Sequence, residues 1–304
     1  SRAKRTTLAR FFIGEETMKV RKAVIPVAGY GTRFLPYTKA VPKAMLPILN
    51  KPAIQVISEE VVKSGITDIL FVVGYRSEVL EAHFAKSNRL DEVLLAGKKF
   101  ALYDAVKYPE TMARISFVEQ KALNGTAKAV EIAENFVNNE PFAILFGDDV
   151  MYNDGVPVIG QLVESFEKTG KSVVGCKEVP LEDVPKYASV EYDEQNGNLY
   201  KVSGIIEKPP IEKVKSRISP LGRYVVTPKI FDIIKTLTPT VNNEYQLTDA
   251  LDNLAKTEGL NALIFDGKRY DMGSRLGYLK ANIEFGLRDE ELSAELKAYL
   301  KTLI

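Results

Sequence analysis

Residues 23–36 read AVIPVAGYGTRFLP, a short apolar run followed at once by a turn that contains two glycines. The run 23–27 is typical of a buried β-strand, because it carries no charged side chain and ends at turn residues. Gly29 and Gly31 lie one residue apart, which lets the backbone turn sharply and approach a ligand closely. Exposed N–H groups in such a turn bind phosphate oxygens. This stretch therefore predicts a sheet whose first strand ends at a phosphate-binding loop.

The loop matches neither of two common phosphate-binding templates. A dinucleotide fingerprint needs a third glycine at position 34, which is Phe34 here, and a Walker A loop needs Gly-Lys-Ser/Thr where this chain has Gly-Thr-Arg. The two glycines alone would favour an ordinary strand-to-helix turn. However, Arg33, Lys39 and Lys43 follow in a proline-rich segment. Charge-assisted hydrogen bonds make such cations good partners for a polyphosphate, so we favour phosphate binding.

Beyond this loop, apolar runs alternate with segments of helical period, which indicates an α/β fold with a largely parallel sheet. The run 142–146 ends in Gly147-Asp148-Asp149, as expected of a central strand that leads into a functional loop. After residue 156 the strands become shorter, which predicts a mixed portion of the sheet. The predicted strands are 23–27, 69–73, 115–118, 142–146, 172–177, 188–192, 199–206, 221–226 and 262–265. The predicted helices are 52–65, 77–84, 126–136, 157–168, 228–236, 246–257 and two in the tail.

The composition is that of an ordinary globular chain. The 304 residues include 41 Lys and Arg against 40 Asp and Glu, a formal net charge of +1. We therefore expect neither nucleic acid nor a membrane as partner. Cys176 and His83 are the only residues of their kinds, which excludes internal disulfides and multi-histidine zinc sites. We expect residues 1–17 to be an N-terminal extension or a cloning remnant, and residues 18–304 to form a cytoplasmic domain.

Residues 22–52 resemble the signature of sugar-nucleotide pyrophosphorylases, and most closely that of bacterial UTP–glucose-1-phosphate uridylyltransferases. Further short blocks match in the same order along nearly the whole chain: 119–121, 146–149, 206–210, 222–225, 244–250 and 267–273. The resemblance implies a Rossmann-like nucleotidyltransferase fold, with a mixed, mainly parallel central sheet flanked by helices. It also implies a nucleotide half of about residues 18–155 and a sugar-phosphate half of about residues 156–304.

The resemblance implies roles for single residues as well. Arg33, Lys43 and Asp148 would be the catalytic residues, and Asp148 and Asp271 would bind Mg²⁺. Glu207 would bind the sugar hydroxyls and Lys208 the sugar phosphate. The nucleotide would be bound by Ala28, Gly29, Gly31, Thr32, Arg33, Lys43, Gln120 and Gly125.

Taken without the resemblance, some of these residues have simpler interpretations. Asp148 could cap a turn at the end of its strand. Asp271 could form an ion pair with Arg269 or Lys268, and Glu207 with Lys208 could be a surface ion pair. The contacts that these side chains make in the structure distinguish these simpler interpretations from the functional ones.

The implied reaction joins UTP to glucose 1-phosphate and forms UDP-glucose and pyrophosphate, with Mg²⁺ as cofactor. The sugar phosphate is an anion near neutral pH, since its second pKa is about 6. It can therefore attack the α-phosphorus without a protein base, and the protein must supply alignment and cancellation of negative charge. We expect a homo-oligomer, either a dimer or a tetramer.

Several alternatives remain open. The segment Gly125–Ala129 and residue Ala188 depart from the uridylyltransferase pattern, so the same reaction could use another nucleotide or another hexose 1-phosphate. A non-catalytic regulator that binds a sugar nucleotide is an alternative of a different class. An NAD-dependent oxidoreductase is disfavoured by Phe34, which stands where the third glycine would be.

Overall fold

The computed structural model describes residues 18–74, 76–240 and 243–303. The expected extension at residues 1–17 lies outside the described residues. Within these ranges the strands are β1 Lys22–Pro26, β2 Pro47–Ile48, β3 Lys51–Pro52, β4 Asp68–Val73, β5 Arg114–Glu119, β6 Phe142–Leu145, β7 Asp149–Tyr152, β8 Ser172–Glu178, β9 Ala188–Asn196, β10 Leu199–Glu207, β11 Ile218–Val226, β12 Leu260–Ile264 and β13 Lys268–Asp271. The helices are α1 Ala53–Lys63, α2 Glu78–Phe84, α3 Asn88–Ala96, α4 Phe100–Thr111, α5 Thr126–Glu131, α6 Glu134–Val137, α7 Val158–Thr169, α8 Lys229–Thr236, α9 Leu247–Thr257, α10 Arg275–Arg288 and α11 Ser293–Lys301. None of these helices combines the length and the apolar character that a membrane crossing requires.

The centre of the molecule is a nine-stranded sheet in the order β5-β4-β1-β6-β11-β8-β12-β10-β9. The first four strands of this order are parallel neighbours. Among the described strands of the sheet, β10 and β11 alone run against the rest. The predicted α/β fold with a mixed, mainly parallel sheet is therefore confirmed.

Helices cover both faces of the sheet, as the alternation of side chains along β1 shows. Ala23 and Ile25 belong to one buried cluster, which includes residues of α1 and α7. Val24 points to the opposite face and belongs to a second cluster, which includes residues of α5, α8 and α9. The sheet is thus the middle layer of three, and both of its faces are buried.

The topology of the sheet places the glycine-rich loop and the loop that carries Asp148 at one edge. β1 lies between β4 and β6, so the strand order reverses at β1, and ligands bind beside the carboxyl ends of strands at such a reversal. The glycine-rich loop follows β1, and Asp148 follows β6. At the ends of β5 and β4, the backbone N–H of Gln120 donates to the carbonyl oxygen of Val73 at 2.8 Å.

Several elements differ from the sequence prediction. The segment 88–111, for which we predicted no element, forms α3 and α4. The predicted single helix 126–136 is divided into α5 and α6, because the N–H of Ala133 bonds three residues back to Val130 at 2.9 Å and tightens the turn. Asp149, which we expected in a loop, begins β7, and β7 pairs with β13 in a separate two-stranded sheet.

Candidate active site

The glycine-rich loop after β1 is packed closely against the segment that carries Lys43. Gly31 has a φ of +65°, and a Cβ at this position would lie 2.9 Å from the Cβ of Lys43. Only glycine fits such a left-handed conformation and such a close approach. The hydroxyl of Thr38 donates to the carbonyl oxygen of Gly31 at 2.9 Å. The loop and Lys43 are therefore held together as one wall of the site.

A cleft of about 630 Å³ opens between this loop and the end of β6. Its volume is in the range of pockets that bind small molecules. Predicted site residues that line it are Ala28, Gly29, Lys43, Gln120, Gly125 and Asp148. It is also lined by residues to which the sequence assigned no role, among them Thr126, Glu244 and Gln246. Gly31, Thr32, Arg33, Glu207, Lys208 and Asp271 are not among the lining residues.

One end of the cleft is built around Gln120 and Gly125. Gln120 is buried, and its side-chain amide donates to the carbonyl oxygen of Gly125 at 3.3 Å. Gly125 has a φ of +109°, and a Cβ there would lie 2.3 Å from the carbonyl oxygen of Tyr245. Glycine is thus required at position 125 by contact with the chain's own backbone.

Lys43 and Asp148, which both line the cleft, form an ion pair with Nζ and Oδ2 2.5 Å apart. Burial opposes ionisation of Asp148, but the charge and the hydrogen bond of Lys43 outweigh it and hold the pKa of Asp148 below its usual value. Asp148 is therefore a charged carboxylate at the edge of the cleft. The interpretation of Asp148 as a simple turn cap does not account for this pairing.

Arg33, Asp148 and Asp271 come together around Gly273. A Cβ on Gly273 would lie 2.8 Å from Oδ1 of Asp271 and 3.2 Å from both Nη1 of Arg33 and Oδ2 of Asp148. Arg33 donates to the carbonyl oxygen of Gly273 at 3.1 Å, and the N–H of Gly273 donates to Oδ1 of Asp271 at 2.8 Å. The absence of a side chain at Gly273 thus leaves space where three charged groups meet.

The chemistry of this convergence fits Mg²⁺. Asp148 and Asp271 offer carboxylate oxygens, which Mg²⁺ prefers, and it is commonly bound by one or two carboxylates together with substrate phosphates and waters. Across residues 18–74, 76–240 and 243–303, no group of three or more Asp, Glu, His or Cys side chains could hold a metal ion. A two-carboxylate site that is completed by phosphate oxygens is consistent with both facts.

Glu207 and Lys208 lie at the end of β10. The hydroxyl of Thr248 donates to Oε2 of Glu207 at 2.7 Å, and Oε1 lies 3.5 Å from Nζ of Lys208. The side chain of Lys208 is 62% exposed, so its ammonium is accessible to a ligand. Its backbone N–H donates to the carbonyl oxygen of Tyr187 at 2.7 Å. The surface ion pair suggested by the sequence is present, and Thr248 was not anticipated as a partner.

Arg269 does not pair with Asp271, so that interpretation of Asp271 is wrong. Arg269 instead binds Oδ1 of Asp149 at 2.6 Å, and Lys268 binds Glu284 at 2.6 Å. Burial raises the pKa of Asp149, and the positive charge of Arg269 opposes this effect. Sequence reasoning gave Asp149 no role and considered Arg269 only as a partner of Asp271. A carboxylate next to the apolar pair Val150-Met151 is the signal that predicts a buried charge in need of a partner.

Arg223 on β11 is a second buried charge, and it contacts the backbone of Asp149. Its guanidinium is inaccessible to solvent and binds Oε2 of Glu60 at 2.7 Å. It also donates to the carbonyl oxygens of Asp149 at 2.7 Å and Gly222 at 3.0 Å. Glu60 further accepts the N–H of Ile159 at 3.0 Å. The strand that begins after Asp148 is therefore fixed by a fully buried ion pair.

The model of the nucleotidyl transferase family matches residues 22–286 of the chain. The chain belongs to this family. A UTP–glucose-1-phosphate uridylyltransferase of Staphylococcus epidermidis is 44% identical over 285 residues, which cover 94% of this chain and 99% of that protein. The UTP–glucose-1-phosphate uridylyltransferase 2 of Staphylococcus saprophyticus is 43% identical, with 94% and 98% covered.

Solved structures of UDP-glucose pyrophosphorylases are also similar to this chain. The UTP-bound UGPase from Acinetobacter baumannii has a TM-score of 0.87 at 31% identity, covering 94% of this chain and 100% of that one. A UDP-glucose pyrophosphorylase complexed with UDP-glucose has a TM-score of 0.80 at 36% identity, covering 89% and 100%. The resemblance seen in the sequence, and the nucleotidyltransferase fold that it implied, are confirmed.

Proposed function

We propose that this protein transfers the uridylyl group of UTP to glucose 1-phosphate and releases pyrophosphate. The observation that carries the proposal is the convergence of Arg33, Asp148 and Asp271 around Gly273, beside a cleft of nucleotide size. The names of the relatives that are 43% and 44% identical support UTP and glucose 1-phosphate as the substrates.

In this proposal the nucleotide occupies the cleft. Its base lies beside Gln120 and Gly125, and its triphosphate follows the loop formed by Ala28, Gly29, Gly31 and Thr32. The N–H groups of this loop and the cations of Arg33 and Lys43 bind the phosphates and the leaving pyrophosphate. Lys43 neutralises Asp148 in the free protein, and its ammonium becomes available to the phosphates when Asp148 is used as a cation ligand.

Asp148 and Asp271 are the residues that would hold Mg²⁺. When bound, this ion would reduce the repulsion between the two anionic substrates and stabilise the charge that develops on the transferred phosphate. Arg33 lies on the same side, where its guanidinium is oriented by the carbonyl of Gly273 at 3.1 Å. These groups cancel negative charge without any proton transfer by the protein.

The sugar phosphate is bound by Glu207 and Lys208. Glu207 accepts hydrogen bonds from sugar hydroxyls, and Thr248 fixes one of its oxygens. Lys208 presents its ammonium to the phosphate, one of whose oxygens attacks the α-phosphorus while pyrophosphate leaves. No histidine is needed: His83 bonds instead to Gln55 at 2.9 Å, and burial lowers its pKa.

The remaining expectations form part of the same proposal. The nucleotide is assigned to residues 18–155 and the sugar phosphate to residues 156–304. The homo-oligomer, a dimer or a tetramer, and the cytoplasmic location stay predictions. Light scattering of the purified full chain measures the oligomeric state, and fractionation of the source cells measures the location.

An assay of pyrophosphate release with the full chain tests the function. We expect release only when UTP, glucose 1-phosphate and MgCl₂ are all present. A panel of ATP, CTP, GTP, dTTP and other hexose 1-phosphates tests the substrates. Equal turnover with another member of the panel would keep the reaction but reject the assigned pair. Two residues that depart from the uridylyltransferase pattern lie beside residues assigned to the substrates. Oγ1 of Thr126, next to Gly125, accepts the N–H of Leu247 at 3.0 Å, and Ala188 lies opposite Glu207 in the β9–β10 ladder. A preference for another nucleotide or another hexose 1-phosphate is therefore the alternative to test.

Binding of UDP-glucose without any turnover would reject the enzyme and favour the alternative of a regulator. Calorimetry with UDP-glucose on the same preparation separates that outcome from an inactive preparation.

A further inference from the structure

Arg269 on β13 makes contacts that no step of the proposed reaction uses. Its side chain is 16% exposed and that of Asp149 is 6% exposed, so the ion pair between them is shielded from solvent. Both Nε and Nη2 of Arg269 lie 2.6 Å from Oδ1 of Asp149. A buried guanidinium that is held this closely is fixed in orientation.

The Asp149 side of this contact is joined to the two proposed cation ligands. Asp149 follows Asp148 directly, and it lies opposite Asp271 in the β7–β13 ladder. The N–H of Met272 donates to the carbonyl oxygen of Asp148 at 2.8 Å. The Asp149 side chain therefore projects from the same pair of hydrogen-bonded segments that carries both carboxylates.

The other side of the guanidinium contacts the sugar-phosphate half. Nη1 of Arg269 donates to the hydroxyl of Tyr187 at 3.1 Å, and the guanidinium lies 5.0 Å from the centre of the Tyr187 ring. Tyr187 immediately precedes β9, whose first residue, Ala188, pairs with Glu207. One side chain thus links β7, β13 and the start of β9.

Tyr187 in turn holds the backbone of Lys208. The carbonyl oxygen of Tyr187 accepts the N–H of Lys208 at 2.7 Å. Lys208 has a φ of +41°, in the left-handed region that residues other than glycine rarely adopt. Such a conformation persists only where the surroundings enforce it, and the bond to Tyr187 is one of the contacts that do so.

We infer that Arg269 is a positioning residue that sets the distance between the carboxylates Asp148 and Asp271 and the ammonium of Lys208. It acts through Asp149 and Tyr187 and touches neither substrate. This inference rests on the proposed roles of Asp148 and Lys208. A lysine at position 269 could keep the positive charge but could not reproduce the fork that contacts Asp149 and Tyr187 together.

The first test needs no substrate. Hydrogen exchange of the Lys208 amide in the free protein reports directly on its bond to Tyr187. We expect Tyr187→Phe, which removes the contact with Nη1 of Arg269, to speed this exchange about tenfold, since a weakened contact lowers the free energy of local opening. Arg269→Lys should do the same. Tyr192→Phe on β9, whose ring packs on Tyr200, is the matched control and should leave the Lys208 amide unchanged.

The second test separates positioning from folding. We expect Tyr187→Phe to raise KM for glucose 1-phosphate about threefold to tenfold, because misplacement of a binding group by a fraction of an ångström weakens alignment. KM for UTP should stay within about twofold, and the melting temperature should match that of Tyr192→Phe. For Arg269→Lys, the exposed pair Arg217–Glu178 provides the control variant Arg217→Lys.

The double variant decides between coupling and independent damage. If Tyr187 acts through Arg269, adding Tyr187→Phe to Arg269→Lys should change KM little further. Wild-type exchange of the Lys208 amide in both single variants would overturn the inference, whatever the enzyme assay gives. Absence of turnover in the wild-type protein would instead overturn the proposed function. Hydrogen exchange of the Lys208 amide would still test whether Arg269 is a positioning residue.

Discussion

Lys208 combines an exposed ammonium with a left-handed backbone that is tied to Tyr187. Removal of the ammonium in Lys208→Ala should therefore affect the sugar phosphate and leave the fold intact. We expect KM for glucose 1-phosphate to rise about 10-fold to 150-fold, the equivalent of a lost charged hydrogen bond of about 1.5–3 kcal/mol. KM for UTP should stay near the wild-type value in steady-state assays.

The exposed Lys213 offers a matched control, because it lies five residues further along and is assigned no role. Lys213→Ala should leave both KM values unchanged. An equal loss of UTP affinity in Lys208→Ala would contradict the assignment of Lys208 to the sugar phosphate.

Under the proposed function, Asp148 is needed for turnover more than for stability. Its side chain is 36% exposed and pairs with Lys43, and such partly solvated pairs contribute about 0–1 kcal/mol to stability. We expect Asp148→Asn to lower kcat by about 100-fold or more, through loss of a charged ligand for the cation. The urea midpoint should move little. Retention of most of the activity would contradict the role of Asp148 as a cation ligand.

At the level of single residues, the sequence could identify side chains whose local context is informative. Asp148 follows a continuous apolar strand, and Lys43 follows a glycine turn, so both could be singled out. Arg269 could not, because its partner Asp149 is 120 residues away in the sequence. The pairing of Arg269 with Asp149 depends on the antiparallel ladder between β7 and β13, and no periodic pattern in the sequence predicts that ladder.

Among the elements, the contact between the loop at Gly125 and the start of α9 forms one end of the cleft. Gly125→Ala would place a Cβ against the backbone of Tyr245. Gly170→Ala is a suitable control, because Gly170 also has a positive φ of +65° but nothing lies within 4 Å of its Cβ position. We expect urea unfolding to show that Gly125→Ala is destabilised by about 1–3 kcal/mol beyond the control, the cost of overpacking.

The same variant should also raise KM for the nucleotide, since Gln120 and Thr126 are anchored to this contact. A KM for UTP that matches the Gly170→Ala value would show that the contact serves stability alone.

Helix α2 carries the one histidine of the chain, and its environment predicts a pH dependence. Burial lowers the pKa of His83 below its ordinary 6.5, so the folded state binds fewer protons than the unfolded chain just below that pH. Stability is therefore complete above about pH 6.5 and decreases as the pH falls towards the folded-state pKa. Urea unfolding at several pH values should show this loss, and His83→Gln should remove its share.

The chain has one imidazole, so NMR titration measures the midpoint of His83 without assignment. A midpoint at or above 6.5 would contradict the prediction.

The elements that the sequence predicted well are those buried on both sides. Strands such as β1, β4 and β6 appear as unbroken apolar runs, since parallel central strands have no solvated face. Helices α3 and α4 were missed because they are largely exposed and carry few buried residues. The short strands β7 and β13 were missed because their pairing with each other, rather than a hydrophobic pattern, defines them.

For the molecule as a whole, the buried pair Arg223–Glu60 joins β11, α1, the start of α7 and the backbone of Asp149. Glu60→Gln would leave a guanidinium without its counter-charge in the interior. We expect the free energy of unfolding to fall by about 3–5 kcal/mol, as for other buried pairs that lose one member. Glu178→Gln, in the exposed pair with Arg217, should cost no more than about 1 kcal/mol. Similar losses for both variants in urea titrations would contradict this prediction.

The nine strands form one uninterrupted ladder from β5 to β9, and that ladder contains strands from both of the proposed substrate halves. A hinge between the two halves would have to break backbone hydrogen bonds along a whole strand, so we expect the sheet to move as one body. Any motion that admits or releases a reactant belongs to the connecting segments at its rim. Small-angle scattering with and without the reactants should accordingly give nearly the same radius of gyration per subunit. New substrate specificities could then be introduced by exchanging the connecting segments while the sheet is left unchanged.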